Sequence, residues 1–134
     1  MLEFALVFPV VLLVLAGIAD MGLLFNNYEV VTNAAREGAR VAALPGWTED
    51  EVEERVLQYA SAGGLNQGNV STAVNPDLLA IGGHNVQSVT VVVSYPYNYI
   101  VLGAVANIFQ GEPLGAGVTL TAAATMRKEL AAGL

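Results

Sequence analysis

Residues 3–25 read EFALVFPVVLLVLAGIADMGLLF, a nearly continuous apolar stretch. No charged side chain lies between Glu3 and Asp20, and Leu, Val, Phe, Ala and Ile occupy almost every position. As a helix, about 20 such residues span the ~30 Å hydrocarbon layer of a bilayer. The stretch therefore predicts a helix suited to a membrane or to the core of an apolar bundle. A cleavable secretory signal is not expected, because no basic residue precedes the apolar run.

The helical pattern continues beyond the apolar stretch. Residues 26–44 contain no proline, and Pro45-Gly46 supplies a stop signal. We expect one helix from Leu2 to Leu44, on the order of 60 Å long at a rise of ~1.5 Å per residue. Because this is about twice the thickness of the hydrocarbon layer, the second half must pack outside it. An apolar stripe at helical spacing predicts that this half carries a small sheet. The stripe consists of Tyr28, Val31, Ala35, Ala39 and Ala42.

Three residues of the apolar half need separate interpretation. Pro9 has no amide hydrogen and crowds the carbonyl one turn back, so we expect it to kink or loosen the helix locally. Glu3 either gains from the dipole at the helix N-terminus or pairs with the N-terminal amine of a neighbouring subunit. Asp20 would cost about 2.5–3.5 kcal/mol at the centre of a bilayer. It therefore either reaches the solvated boundary or finds a partner.

A second helix and a sheet are predicted after Pro45-Gly46. Thr48 and Glu51 have the spacing of a capping box, which predicts a helix that ends near Ala62. Alternating apolar and polar residues predict three strands, and an apolar segment between the last two predicts a short helix. The strands are Gly68 to Val74, which has the weakest pattern, Val86 to Tyr95 and Gly117 to Met126, and the short helix is Val101 to Phe109.

The length of the chain and the predicted helices and strands together indicate the fold class. The 134 residues suffice for one modest domain. We predict an α+β fold in which residues 1–45 form the long helix, as membrane span or filament core. Residues 46–134 then form a small outward-facing domain with an antiparallel sheet. Charged residues make up only 13% of the chain, against about 25% in ordinary soluble proteins, so part of the surface must contact lipid or other subunits.

Several function classes are not expected. A net charge of −7 with five scattered basic residues disfavours nucleic acid as a partner. The chain has no cysteine, and its one histidine, His84, lies in a glycine-rich turn without neighbours at ligand spacing. No catalytic triad, phosphate loop or metal cluster is visible. We therefore predict no enzyme activity, no cofactor and no metal site.

Two surface motifs have more than one interpretation. Tyr95, Tyr97 and Tyr99 flank Pro96 and are interpreted as packing or subunit contacts, because no basic residue accompanies them as in a nucleic-acid platform. Asn69-Val70-Ser71 matches the acceptor pattern for N-glycosylation. Such a triplet also arises by chance, so Asn69 is only a possible glycosylation site.

Four segments carry a more specific pattern, and together they resemble the TadE-like pilin family of tight-adherence pili. They are residues 3–9 (EFALVFP), 17–22 (GIADMG), 32–40 (TNAAREGAR) and 118–127 (VTLTAAATMR). The resemblance covers both ends of the chain, and the middle is compatible in pattern only.

The resemblance implies a type IV pilin-like structural subunit. Its precursor is inserted in the cytoplasmic membrane and processed by a prepilin peptidase. An ATPase-driven assembly machine then packs it with copies of itself or other pilins into a surface filament used for adhesion. Glu3 matches the glutamate that neutralises a neighbour's N-terminal amine in this picture. The residues expected to serve assembly are Glu3, Phe4, Pro9, Asp20, Arg36 and Arg40.

Two other functions were weighed against this one. A monomeric, membrane-anchored extracytoplasmic binding domain is the main alternative, with the tyrosine segment or Val101 to Phe109 as its ligand surface. It predicts a detergent-soluble monomer and no filaments. An anchored hydrolase would need a nucleophile and a base, which one histidine and no cysteine do not supply.

Overall fold

The computed structural model describes residues 2–110 and 117–129. Within these ranges the chain forms three α-helices and three β-strands, with a short 3-10 turn at Gln67–Asn69. In chain order they are α1 (Leu2–Ala42), α2 (Glu49–Ala62), β1 (Ser71–Ile81), β2 (His84–Tyr97), α3 (Val101–Gln110) and β3 (Val118–Arg127). The α+β class, with a long N-terminal helix on a small antiparallel sheet, is confirmed.

The long helix α1 ends at Ala42, slightly before the predicted end at Leu44. Its last turn tightens, because the Leu44 amide donates to the Val41 carbonyl over 3.1 Å. Although Pro9 removes one backbone hydrogen bond, the helix is continuous through it. The proline therefore does not divide α1 into two helices.

The start of α2 is the capping box that the sequence predicts. The Thr48 hydroxyl accepts from the Glu51 amide (3.4 Å), and the Glu51 carboxylate accepts from the Thr48 amide (2.9 Å). These bonds satisfy two backbone donors that the first turn leaves free. Val52, Val56 and Ala60 are buried on one side of the helix, so α2 packs on the core through that side.

The sheet has the strand order β1-β2-β3. Strands β1 and β2 form an antiparallel hairpin that is paired from Ser71↔Ser94 to Ile81↔His84. Its two-residue loop is Gly82-Gly83, and both glycines have positive φ (58° and 83°). Two-residue hairpin loops of this kind favour glycine because other residues are strained at positive φ.

Two pairs of hydroxyl groups show the register of β2 against β3. The hydroxyl oxygens of Thr90 and Thr125 form a hydrogen bond of 2.7 Å, and those of Ser94 and Thr121 form one of 3.2 Å. Moving four residues forward on β2 thus corresponds to moving four residues back on β3. The two strands are therefore antiparallel, and the predicted last strand is confirmed within a residue of each end.

Strand β1 is longer than the sequence predicts, because it runs through Pro76 and Asp77 to Ile81. The Gln87 carbonyl accepts a hydrogen bond from the Lys128 amide, which follows β3. Backbone groups of successive residues in a strand point to opposite neighbours, so those of Ser88 face β1. Ser88 is paired with Asp77, which places the nitrogen of the adjacent Pro76 on the outer edge of β1. A proline is tolerated there since it removes no bond from the ladder.

By its internal contacts, the chain divides into two compact units. Of the described residues, unit 1 contains 2–26, 97–110 and 117–118, and unit 2 contains 27–96 and 119–129. Each unit therefore joins segments that are distant in the sequence. The predicted linear division at residue 45 stays a prediction.

Unit 2 holds a core of small and β-branched side chains. The α1 part of this core is a stripe of alanines and one valine, as predicted, except that Tyr28 is 45% exposed and does not belong to it. Spacing placed Tyr28 on the correct side of the helix, but it lies at the N-terminal end of the stripe, one residue from the start of unit 2 at Asn27. The buried members are Val31, Ala34, Ala35, Ala39 and Ala42 from α1, Val52, Val56 and Ala60 from α2, Val89, Val91 and Val93 from β2, and Leu120 and Ala122 from β3.

Gly38 is the point of closest approach within this core, and its replacement by alanine is expected to destabilise the protein. A Cβ atom there would lie 2.6 Å from Val56 Cγ2 and 3.1 Å from Val91 Cγ1. Overpacking costs about 1–3 kcal/mol, and alanine recovers up to about 1 kcal/mol of helix propensity. We expect the free energy of unfolding to fall by about 1–2 kcal/mol, measured by denaturant titration in detergent.

The matched control is Gly22→Ala in the same helix. A Cβ atom at Gly22 would meet nothing within 4 Å, so this change is expected to be neutral or stabilising. Equal stability of the two variants would show that Gly38 is not a tight contact.

Candidate assembly site

Large apolar side chains cover α1 from Phe4 to Phe25 and are mostly exposed. Phe4 is 71% exposed and Phe25 is 63% exposed. Contiguous exposed apolar surface marks contact with a membrane or with another protein. We call it the span surface, and its exposed members are Phe4, Leu6, Val7, Phe8, Val10, Val11, Val14, Leu15, Ile18, Met21, Leu23 and Phe25.

The helix that carries the span surface is long and apolar enough to cross a membrane. Only 11% of its most apolar stretch is buried within the protein. The core helix of a soluble domain would be mostly covered by its own chain. The exposure therefore favours a helix whose apolar side chains are covered by lipid or by other chains.

One stripe of unit 1 is covered, and at its end lies a buried carboxylate. Ala16 and Asp20 are one helical turn apart and are only 3% and 1% exposed. The carboxylate of Asp20 accepts hydrogen bonds from three successive backbone amides, those of Ile100 (3.1 Å), Val101 (3.1 Å) and Leu102 (2.6 Å). The Tyr97 hydroxyl also donates to this carboxylate (3.3 Å). We call these five residues (Asp20, Tyr97, Ile100, Val101 and Leu102) the Asp20 cluster.

The Asp20 cluster caps α3. The first amides of a helix have no partner within the helix, and the residue before α3 is Ile100, whose side chain cannot accept a hydrogen bond. Asp20 supplies the missing acceptor, and its charge is favourable beside the positive end of the helix dipole. Of the two interpretations left open by the sequence, the partnered one is correct, and the partner belongs to the same chain.

Sequence reasoning did not find this partner. Asp20 and Val101 are 81 positions apart, and capping by backbone amides leaves no residue type to recognise. The available signal was a negative one, since the apolar helix α3 begins without a Ser, Thr, Asn or Asp of its own.

Arg40 belongs to a network of ion pairs in unit 2. The Glu37 carboxylate accepts from Arg40 Nη2 (2.7 Å) and from Arg55 Nη2 of α2 (2.8 Å). Arg36 instead donates to Asn33 (3.2 Å) on its own helix. Both Arg36 and Arg40 are exposed, and their predicted role in assembly stays a prediction.

The network makes stability depend on pH through Glu37. Hydrogen bonds from Arg40 and then Arg55 lower the pKa of Glu37 from 4.5 to about 2. A carboxyl with a lowered pKa stabilises the fold above pH 4.5, and this contribution disappears as the pH falls towards 2. Because both arginines are about half exposed, screening limits the contribution to on the order of 1 kcal/mol. The difference in unfolding free energy between the parent and Glu37→Gln is expected to shrink over that range.

The control for this pH titration is Glu53→Gln, which alters an exposed residue of α2. A Glu37→Gln difference that stays constant between pH 5 and pH 2.5, or that matches the control, would contradict a stabilising role for the network.

The other predicted site residues lie on the surface. Glu3 is exposed, and Phe4 packs on Phe8 with ring centroids 5.6 Å apart. Asn69 and His84 are exposed as well, so glycosylation at Asn69 stays a prediction. Among residues 2–110 and 117–129, no group of three or more His, Asp or Glu side chains is placed to hold a metal ion.

Comparison with known families gives one match. The model of the TadE-like protein family matches residues 1–40, which include the span surface, Asp20 and Arg40. Comparison with curated proteins and with solved structures gives no match. The match covers less than a third of the chain, so it shows that the N-terminal helix is similar to TadE-like proteins, and it supports a membrane-anchored, pilus-related protein.

Proposed function

We propose that this protein is a structural pilin-like subunit that polymerises through its N-terminal helix into an extracellular filament for surface attachment. The observation that carries the proposal is the contrast within α1. The Phe4–Phe25 half exposes large apolar side chains, whereas the second half buries one valine and four alanines, from Val31 to Ala42, in the core of unit 2.

This contrast suits a subunit that is first inserted in a membrane and then assembled into a filament. Lipid covers the span surface before assembly, and the same helices of neighbouring copies cover it afterwards. Both environments are apolar, and a helix satisfies its own backbone groups in each. The TadE-like match to residues 1–40 supports this function. The expected partners are other copies or other pilins, a prepilin peptidase and an assembly ATPase.

The direct test is to shear the cell-surface fraction, view it by negative-stain electron microscopy and identify the filament subunits by mass spectrometry. Filaments built mainly from this chain are the expected result. If the chain stays in the membrane fraction and the filaments lack it, a monomeric anchored binding domain becomes the better account.

Glu3→Ala is expected to lower filament yield while leaving membrane insertion intact. The variant removes the Glu3 carboxylate, which directly precedes the apolar run, and pairing of that carboxylate with an amine is strengthened where water is excluded. Filament protein and membrane-bound protein are quantified separately by immunoblot. Glu29→Ala, an exposed change further along α1, serves as the control. Normal filament yield from Glu3→Ala would end the pairing hypothesis.

A further inference from the structure

Helix α3 is uncharged and belongs to the same unit as the span surface. No Asp, Glu, Lys or Arg occurs from Tyr97 to Gln110. Ile100, Ala104 and Asn107 recur at spacings of four and three and are exposed. Ile100 is 64% exposed. This exposed stripe, from Ile100 just before α3 to Asn107 within it, carries no charge.

The distance of Asp20 from the end of the span surface indicates where α3 begins relative to the membrane boundary. From Phe4 to Phe25 the span surface measures roughly 32 Å at ~1.5 Å per residue, which matches a hydrocarbon layer of ~30 Å. Polar residues follow at once in Asn26-Asn27. Asp20 therefore lies roughly 7–8 Å inside that boundary.

The amides that bond Asp20 must lie at the same depth. The Leu102 amide approaches the carboxylate to 2.6 Å and the Val101 amide to 3.1 Å. The first turn of α3 is thus fixed beside α1 at a level where the span surface is still apolar. Met21, Leu23 and Phe25 continue that apolar surface beyond Asp20 and are exposed.

We infer that α3 lies in the lipid interface of the leaflet where α1 leaves the membrane, as a second membrane-contacting element of the inserted subunit. This inference rests on the proposed membrane-inserted precursor. It explains how an acidic residue is accommodated within the span, because α3 supplies the donors that lipid lacks. Tyr99, which packs edge-on against Tyr97 with ring centroids 5.9 Å apart, has the side chain favoured at the headgroup level.

The lipid chemistry follows from the charges. With no basic residue in α3 and a net charge of −7 for the chain, anionic headgroups offer no attraction. The contact involves uncharged groups, so α3 should bind zwitterionic bilayers and be insensitive to salt.

The test uses the absence of cysteine from the chain. Single cysteines are introduced by Ala104→Cys in α3, Val14→Cys in the span surface and Gln58→Cys on the exposed side of α2. Each full-length variant carries an NBD fluorophore and is reconstituted in phosphatidylcholine vesicles with nitroxide lipids labelled at a shallow or a deep position. At Ala104 we expect blue-shifted emission and shallow-lipid quenching about twofold or more above that at Gln58.

The three positions separate the possible failures. Quenching at Val14 but only the Gln58 level at Ala104 would overturn the inference and leave the membrane anchor standing. Absence of quenching at Val14 would overturn the membrane-inserted precursor, and the inference with it. Protection of Ala104 from aqueous iodide without lipid quenching would assign the exposed face of α3 to a second protein copy instead of lipid.

Discussion

Replacing Asp20 with alanine is expected to free the first turn of α3 and lower the free energy of unfolding by about 3 kcal/mol. Three backbone amides lose their shared acceptor, while the Tyr97 hydroxyl retains the backbone carbonyl of residue 20 at 3.2 Å. Each buried donor left without a partner costs about 1–3 kcal/mol, although water relieves part of that cost where the amides are half-buried. Hydrogen exchange followed by mass spectrometry should show faster exchange at Ile100, Val101 and Leu102.

Graded variants separate the capping role of Asp20 from a general loss of packing. Tyr97→Phe removes one donor and should cost about 1 kcal/mol. Asp20→Asn keeps one acceptor oxygen but turns an NH2 group towards the amides, so its effect should be intermediate. Asp50→Ala, in the exposed first turn of α2, should leave exchange in α3 unchanged. Unchanged exchange at residues 100–102 in Asp20→Ala would contradict the cap.

Val14→Lys is expected to reduce both membrane insertion and filament formation. Val14 lies near the midpoint of Phe4–Phe25 and is exposed. A lysine at the centre of a bilayer costs about 2.5–3.5 kcal/mol on insertion scales, which corresponds to roughly a hundredfold shift in the insertion equilibrium. The same charge in a bundle of apolar helices would be buried without a partner.

The measurement for Val14→Lys is the fraction that remains in the membrane after alkaline extraction, together with filament yield in the sheared fraction. Ser61→Lys adds the same charge on the exposed side of α2 and should alter neither quantity. Because Glu3→Ala is expected to lower filament yield alone, the two variants distinguish insertion from assembly. Full insertion of Val14→Lys with normal filaments would contradict both roles of the span surface.

Local signals predicted much of the fold. The capping box of Thr48 and Glu51 predicted the start of α2, and the alternating pattern from Val86 to Tyr95 predicted β2. In both cases neighbouring residues determine the structure. The length of α1 followed from the lack of a break before Pro45.

The sequence was less informative where distant residues decide the structure. Strand β1 was underestimated because Pro76 and Asp77 disfavour strands when read alone, whereas pairing with β2 holds them extended. The Asp20 cluster was missed because its donors are backbone amides far along the chain. The resemblance identified Asp20 as significant without indicating what it contacts.

The position of Pro76 affects whether copies of this protein can pair with one another through the edge of the sheet. Among the described residues, β1 is an outer strand whose far side carries no partner strand, and such edges can recruit the same edge of another copy into a growing cross-β stack. Exposed Leu78, Leu79 and Ile81 add to that hazard. Because Pro76 lacks a donor in the middle of this edge, an intermolecular ladder would be interrupted there. We therefore expect Pro76 to disfavour edge-to-edge pairing between copies.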